Sequence, residues 1–337
     1  GIEEKITHAG RGIFTLIGDE VPSLFDSKRW TGKLMEWAMK DEKVKVQLFR
    51  FVDVLPCLKN DDMGLRLLTE YFDDPDQTPI LRGIGLISKR GFFPRIAGRF
   101  IRKNVETLAR QFIAGSDPDD AWSTVEALRN QGLAISLDLL GEEVLSDGEA
   151  AIYSRRYIDL LNTMSRKVAA WPQEPILESD HFGAIPRLDV SVKVSSFSCR
   201  LDPMDWDRSV GETIASLHPV MDAAKERNVA VTFDMESYYF KDLFIDIVKR
   251  LVTEYKDGPL TGLALQAYLK ETKDDLTGLV SWAKKSAHRF GIRLTKGAYW
   301  DYETVVNRQR GWPVPVLTDK EQTDAQYEAL TRILLEN

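Results

Sequence analysis

Five short stretches of β-type sequence, each followed by a helical stretch, constrain the fold of this chain more than any other feature. Within each stretch apolar and polar residues alternate, which is the period of a strand with two different faces. Strands that alternate with helices indicate parallel βαβ units and an α/β fold. We predict strands at 134–141, 189–196, 229–236, 262–268 and 291–297.

One face of each predicted strand carries polar or charged side chains. An open parallel sheet with helices on both faces favours nearly continuous apolar strands. A closed (βα)8 TIM-like barrel explains the polar face better, because its inner face near the C-terminal mouth can surround a site. The side chains that we predict to line one cavity there are Asp138, Lys193, Asp234, Gln266 and Arg293.

The residues before these strands have a different, helical pattern. Apolar residues recur at helical intervals within 33–58, and Pro75 and Pro79 then interrupt the pattern. We therefore predict three segments: a helical arm and α-domain at 1–85, a helical linker leading into the barrel at 86–130, and the N-terminal part of the barrel at 131–337.

Composition excludes several classes of protein. A net charge of -7 over 337 residues argues against nucleic-acid binding, which needs a basic balance or a basic face. Cys57 and Cys199 form no CxxC pair, so we predict neither a disulfide framework nor a metal site. No run of about 18 apolar residues occurs, and we predict a cytoplasmic protein that acts on a small molecule.

A basic stretch at 89–103, with the sequence KRGFFPRIAGRFIRK, leaves two alternatives open. Its six basic residues and interspersed aromatics are suited to peripheral contact with an anionic surface such as the inner membrane. The same pattern is typical of a helix that covers the core and exposes a solvated basic face.

Five segments carry a resemblance to a known family: ISLDLLGEE, SVKVSSF, FDMES, LALQAYLK and, most specifically, IRLTKGAYWD at 292–301. In these residues, and in their order over 85–337, the chain resembles the proline dehydrogenase domain of the proline utilization A flavoproteins. The preceding helices resemble the N-terminal arm and α-domain of that family.

The resemblance implies an FAD enzyme that oxidises L-proline to Δ1-pyrroline-5-carboxylate and passes electrons to a quinone, the first step of proline catabolism to glutamate. It also implies a bifunctional enzyme, whose NAD-binding pyrroline-5-carboxylate dehydrogenase domain we expect outside these residues. Family analogy assigns Lys193 and Asp234 to the proline site, Asp138 to orienting the lysine, and Tyr299 to flanking the substrate. It assigns the flavin contacts to Gln266, Arg293, Lys296, Gly297, Ala298, Trp300, Thr318 and Lys320.

Three residues of the last segment could instead have structural roles. Tyr299 and Trp300 could pack at the barrel rim, as large aromatic side chains often do. Asp301 is suited to capping the N-terminus of the helix that follows it.

The sequence departs from the family pattern at its C-terminal end. The family barrel has eight strands and a last helix with an arginine pair for the proline carboxylate, whereas about five strands are recognisable here. We expect the remaining strands and the carboxylate-binding residues outside this segment, because a partial barrel would expose two long edges. The sequence leaves open whether the chain forms a homo-oligomer and whether it prefers proline or hydroxyproline.

Two rival functions remain at this point. A Schiff-base (βα)8 aldolase would use Lys193 or Lys296 as its nucleophile, since a desolvated lysine can fill that role. A non-catalytic protein would use residues 1–85 as a helical interaction module and the barrel only as a scaffold.

Overall fold

A computed structural model describes residues 2–17, 113–141 and 143–337, together with the single helical positions 50, 54, 63 and 70. The chain divides into two compact units, residues 1–113 and 114–337. In the first unit, helix α1 spans Ile2–Ile17. The basic stretch at 89–103 lies outside the described residues, and the predicted boundaries at 85 and 130 remain predictions.

The second unit alternates strands with helices. Its strands are β1 (Ile135–Asp138), β2 (Ser179–Asp180), β3 (Gly183–Ala184), β4 (Leu188–Val192), β5 (Ala230–Phe233), β6 (Thr261–Gln266) and β7 (Phe290–Thr295). Its helices are α2 (Pro118–Asn130), α3 (Asp147–Ala169), α4 (Pro175–Glu178), α5 (Trp206–Arg227), α6 (Lys241–Glu254), α7 (Thr272–Ser286), α8 (Trp300–Arg310) and α9 (Lys320–Leu335).

Five of the strands form one parallel sheet in the order β1-β4-β5-β6-β7, and β2 pairs with β3 in a small antiparallel hairpin. Each new strand of the sheet adds beside the previous one after a helix, which is the arrangement of successive βα units in a TIM-like barrel. The five predicted strands are therefore confirmed, although each is shorter than predicted. For example, β4 ends at Val192, because Val194–Ser196 already form a 3₁₀ turn.

Apolar side chains of the strands hold the helices against the sheet. Val190, Val231, Phe233 and Leu263 are fully buried, in one core with helical residues such as Leu217. Each such side chain contributes about 1.5–3 kcal/mol on burial. Truncation of Phe233 to alanine should cost about 3–5 kcal/mol, since the site could collapse only partly.

Local signals determine where the helices begin and end. Helix α3 begins after Ser146, whose side chain accepts a hydrogen bond from the Glu149 amide at 3.2 Å. Helix α5 ends at Asn228, which adopts the left-handed conformation with φ 51°. The expected cap at Asp301 is wrong: α8 begins at Trp300, so Asp301 lies inside the first turn, where its charge still favours the helix dipole.

None of the helices among the described residues has the length and apolar character that crossing a membrane requires.

Candidate active site on the polar face of the sheet

Lys193 follows β4 directly and lies between two carboxylates. Its Nζ is 2.8 Å from Asp138 Oδ2 and 3.2 Å from Asp234 Oδ2. Burial alone would lower the pKa of Lys193, but the hydrogen bonds and negative charges of Asp138 and Asp234 outweigh it and raise the pKa above its usual value. Lys193 is therefore a cation at neutral pH.

Asp234 connects Lys193 to Arg293. The Asp234 amide donates to the Val192 carbonyl at 2.9 Å, which extends the ladder between β5 and β4 by one residue. Its Oδ1 accepts hydrogen bonds from Ser191 Oγ at 2.6 Å and from Arg293 Nη1 at 3.0 Å. One carboxylate is thus shared by two cations, one directly after β4 and one in β7.

Arg293 reaches from β7 across the polar face to β4 and β1. Its Nη1 donates to Ser191 Oγ at 2.7 Å, and its Nη2 donates to Ser136 Oγ at 3.0 Å. A further ion pair joins Nη2 to Asp189 Oδ2 at 3.3 Å. We name the five charged residues of this network the polar-face cluster: Asp138, Asp189, Lys193, Asp234 and Arg293.

The structure therefore brings together four of the five residues predicted to line one cavity. The sequence prediction missed Asp189, although counting in twos along β4 places it on the same face as Ser191 and Lys193. The alternation of polar and apolar residues was enough to place Asp189 on this face. It was missed because Asp189 lies near the beginning of its strand, whereas the site of a barrel is expected at the C-terminal ends of the strands.

Gln266, the fifth predicted residue, is buried at the end of β6. Its Nε2 donates to the Met235 and Glu236 carbonyls at 2.8 and 3.2 Å, which fixes the orientation of the amide. Its Oε1 is buried without a hydrogen-bond partner in the part of the chain that the structure describes. An acceptor of this kind costs free energy unless a donor from a ligand or a water satisfies it.

Glu236 and Tyr299 border the polar-face cluster. Glu236 accepts hydrogen bonds from Ser195 Oγ at 2.6 Å and from the Ser195 amide at 3.1 Å. Burial raises the pKa of Glu236. Burial, and then the negative charge of Glu236, raise the pKa of the half-buried Tyr299.

Gly297 occupies a close approach between the turn after β7 and Tyr268. Its φ is +126°, and a Cβ atom there would lie 2.5 Å from the Tyr268 ring. Only glycine fits such a position. The Tyr268 hydroxyl also accepts a hydrogen bond from the Tyr299 amide at 3.3 Å, which fixes the path of the chain into α8.

The other predicted cofactor residues form a separate and more exposed group. Lys296 and Lys320 both pair with Asp324 of α9, the second at 2.6 Å. Trp300 donates from Nε1 to the Leu317 carbonyl at 3.0 Å, while Ala298 and Thr318 are exposed in the loops before α8 and α9. Among the residues described, none of these side chains forms a hydrogen bond or ion pair with Lys193 or Arg293.

Comparison with known proteins identifies the family. The family model described as "Proline dehydrogenase" matches residues 121–337, and the model "Proline utilization A N-terminal domain" matches residues 3–112. The chain belongs to the proline dehydrogenase family. The resemblance stated from the sequence is thereby confirmed.

Three relatives give the extent of the similarity. The bifunctional protein PutA of Klebsiella aerogenes is 27% identical over 279 residues, which cover 81% of this chain and 20% of that protein. Proline dehydrogenase 1 of Bacillus subtilis subsp. natto is 26% identical over 227 residues, 67% of this chain and 61% of that one. The crystal structure of proline utilization A from Bdellovibrio bacteriovorus, inactivated by N-propargylglycine, has a TM-score of 0.87 at 36% identity and covers 100% of this chain and 33% of its own.

These matches show the fold class and how much of a relative's length this chain covers. The agreement with the Bdellovibrio structure confirms the TIM-like barrel class predicted from the strand pattern. The chain spans 20% of the Klebsiella PutA protein.

Proposed function

We propose that this chain carries out the FAD-dependent oxidation of L-proline to Δ1-pyrroline-5-carboxylate and passes the electrons to a quinone. Membership in the proline dehydrogenase family supports this choice of reaction. The observation that carries the proposal is the sharing of Asp234 by Lys193 and Arg293 on the polar face of the sheet. The network leaves its charged groups partly exposed, and Asp138, Lys193 and Asp234 lie at or just past the C-terminal ends of their strands, where barrel enzymes have their catalytic residues.

One feature of the chain fits FAD. The Oε1 of Gln266, which has no hydrogen-bond partner among the described residues, can accept a hydrogen bond from a ring N–H. We assign the cofactor contacts to Gln266, Arg293, Lys296, Gly297, Ala298, Trp300, Thr318 and Lys320. When bound, FAD supplies the acceptor for the hydride that leaves C5 of proline.

The chain's own residues would bind and orient the reactants. Arg293 places a fixed positive charge on the polar face, where it would stabilise negative charge that develops on a neighbouring ring. Lys193, held protonated by Asp138 and Asp234, would provide a second positive charge for the substrate side. Tyr299, beside Glu236, would flank the substrate.

Asp234 is better suited to positioning than to proton abstraction. Its carboxylate already accepts hydrogen bonds from Ser191, Lys193 and Arg293. Three donors therefore already occupy this carboxylate, which leaves it less available to take a proton from a substrate. We therefore infer that proline binds with its amine neutral, so that no strong general base is needed.

The aldolase alternative is not favoured. A lysine nucleophile must be neutral, which requires a lowered pKa, whereas the pKa of Lys193 is raised by Asp138 and Asp234. Lys296 is about half-exposed and paired with Asp324, so it lacks the enclosed apolar pocket that a Schiff-base lysine uses. Borohydride in the presence of carbonyl substrates should therefore trap neither lysine.

The scaffold alternative and the proposed function differ in what they predict for variants of Lys193 and Arg293. If the barrel had no catalytic role, Lys193→Ala and Arg293→Ala would change only stability. We expect instead that both variants fold and that both lose proline turnover.

The partners of the whole protein are part of the same proposal. The relatives named bifunctional PutA support a second, NAD-dependent pyrroline-5-carboxylate dehydrogenase domain elsewhere in the protein. Transfer of electrons to a quinone would require peripheral contact of a cytoplasmic enzyme with the membrane, for which the basic stretch at 89–103 is the candidate. Replacement of Arg95, Arg99 and Arg102 by glutamate should weaken binding to anionic vesicles; unchanged binding would remove this part of the proposal.

The visible spectrum of the purified full-length protein, recorded without oxygen before and after addition of L-proline, tests the reaction. We expect flavin bands near roughly 380 and 450 nm, as for any flavin, and we expect proline to bleach them. A colourless protein that cannot be reconstituted with FAD would contradict the proposal.

A further inference from the structure

Arg293 is held by groups from strands other than its own. Nη1 contacts Ser191 Oγ and Asp234 Oδ1, and Nη2 contacts Ser136 Oγ and Asp189 Oδ2. The four N–H groups of the two Nη atoms are thus all engaged. Nε has no hydrogen-bond partner among the residues that the structure describes, and the side chain is 35% exposed.

Asp189 differs from Asp234, the other carboxylate on this guanidinium. Asp234 also pairs with Lys193, whereas the only cation that Asp189 contacts in the described part of the chain is Arg293. Neighbouring strands fix the Asp189 carboxylate: Thr232 Oγ1 of β5 donates to Oδ1 at 2.8 Å, and Ser136 Oγ of β1 donates to Oδ2. Two hydroxyl groups therefore orient the Asp189 carboxylate in addition to Arg293.

The position of Asp189 is costly unless Arg293 is present. Its side chain is 23% exposed, and burial raises the pKa of Asp189 despite its hydrogen bonds. A partly buried carboxylate of this kind needs a cation to compensate for lost hydration. Asp189 and Arg293 are therefore interdependent.

We propose that Asp189 is a positioning residue that fixes the guanidinium of Arg293 on the polar face and keeps its Nε–H directed towards a bound ligand. This inference rests on the proposed function, in which Arg293 contacts FAD. A side chain held in place before binding loses less conformational entropy when the ligand arrives. Loss of Asp189 should therefore weaken FAD binding, and only through Arg293.

A double-mutant cycle tests the inference on the full-length protein. The dissociation constant for FAD is measured by titrating FAD into the apoprotein, for the wild type, Asp189→Asn, Arg293→Met and the double variant. We expect Asp189→Asn to raise the dissociation constant about tenfold in the wild-type background, and less than about twofold when Arg293 is absent, since interacting residues are not additive. The matched control is Asp246→Asn, because Asp246 is 30% exposed and pairs with Arg250 on the outer helix α6.

Each outcome has a defined meaning. An unchanged dissociation constant, or an equal rise in both backgrounds, would overturn the positioning role while leaving the proposed function intact. A wild-type protein that binds no FAD would overturn both. If Asp189→Asn does not fold, Thr232→Val removes one hydrogen bond to Asp189 and should raise the dissociation constant about twofold to fivefold, again only with Arg293 present.

Discussion

Two clusters of ion pairs in the second unit each place a lysine among carboxylates but differ in access. The Lys241 cluster consists of Lys241, Asp242, Glu271 and Asp275 at the beginnings of α6 and α7. Lys241 Nζ lies 2.9 Å from Asp275, 2.6 Å from Asp242 and 3.4 Å from Glu271, and its side chain is 4% exposed. In the polar-face cluster, by contrast, Lys193 is 20% exposed.

The difference lies in what remains free for a ligand. An ammonium group has three N–H donors, and Lys241 directs its hydrogen bonds to Asp242 and to both carboxylate oxygens of Asp275 on the neighbouring helix. Arg293 keeps Nε without a partner among the described residues and stays accessible. Burial of an ion pair is therefore a poor marker of function by itself, whereas an accessible, unpaired donor within such a network is a better one.

The largest expected effect breaks the polar-face cluster. Lys193→Ala should lower the rate of flavin reduction by L-proline by roughly 10²–10³-fold, as expected when one group that stabilises charge in a preorganised site is removed. Rapid mixing without oxygen measures this rate. The control is Lys285→Ala, an exposed lysine of α7, which should leave the rate unchanged. A reduction rate within about twofold of wild type would exclude Lys193 from the reaction.

The second prediction applies the same kind of change to the Lys241 cluster. Lys241→Met should lower the free energy of unfolding by about 3 kcal/mol, because it leaves the partly buried carboxylate of Asp275 without its cation. Urea unfolding measures the loss. FAD affinity should be unchanged, since no hydrogen bond or ion pair among the described residues joins this cluster to the proposed cofactor residues. A large loss of FAD affinity with unchanged stability would show that the Lys241 cluster has a role in binding and not in stability.

The third prediction concerns pH, and the sign is the same for both clusters. Asp138 and Asp234 raise the pKa of Lys193, and Asp242 and Asp275 raise the pKa of Lys241. The stabilisation from a raised lysine pKa is complete below the unfolded value of about 10.4 and is lost as pH rises through the folded value. Unfolding by urea at about pH 9 and about pH 11 should therefore show a loss of stability in the wild type.

Variants separate the two contributions to this loss. Lys193→Met and Lys241→Met should each lose less stability over this pH interval than the wild type does. A variant that loses as much as the wild type would show that its lysine has an ordinary pKa in the folded protein.

The sequence was a good guide to the fold and to the side of each strand. Alternation in steps of two correctly placed Lys193, Asp234 and Arg293 on one face, because strand geometry makes this periodicity local. Alternation also placed Lys193 correctly, although this residue lies one position past the end of β4. Its backbone is still extended, so the alternation of faces continues to Lys193.

Contacts between distant residues were not predictable in the same way. Asp189 had the right periodicity, but nothing local indicated that Arg293, 104 positions later, would reach it across two strands. Likewise, the pairing of Lys296 with Asp324 depends on how α9 packs near β7. Such contacts arise from tertiary packing, about which a single sequence carries little information.

The smallest expected effect concerns the two lysines that pair with Asp324 of α9. These ion pairs are more exposed than those of the Lys241 cluster or the polar-face cluster. Lys320 is 79% exposed and shares Asp324 with Lys296. Because a solvent-exposed charge contact is weak and screened by salt, Lys320→Ala should raise the dissociation constant for FAD only about twofold to fivefold at low ionic strength. The difference from wild type should disappear in about 0.5 M salt, where the Debye length is only a few ångströms. A salt-independent difference would mean that Lys320 binds the cofactor through a desolvated contact.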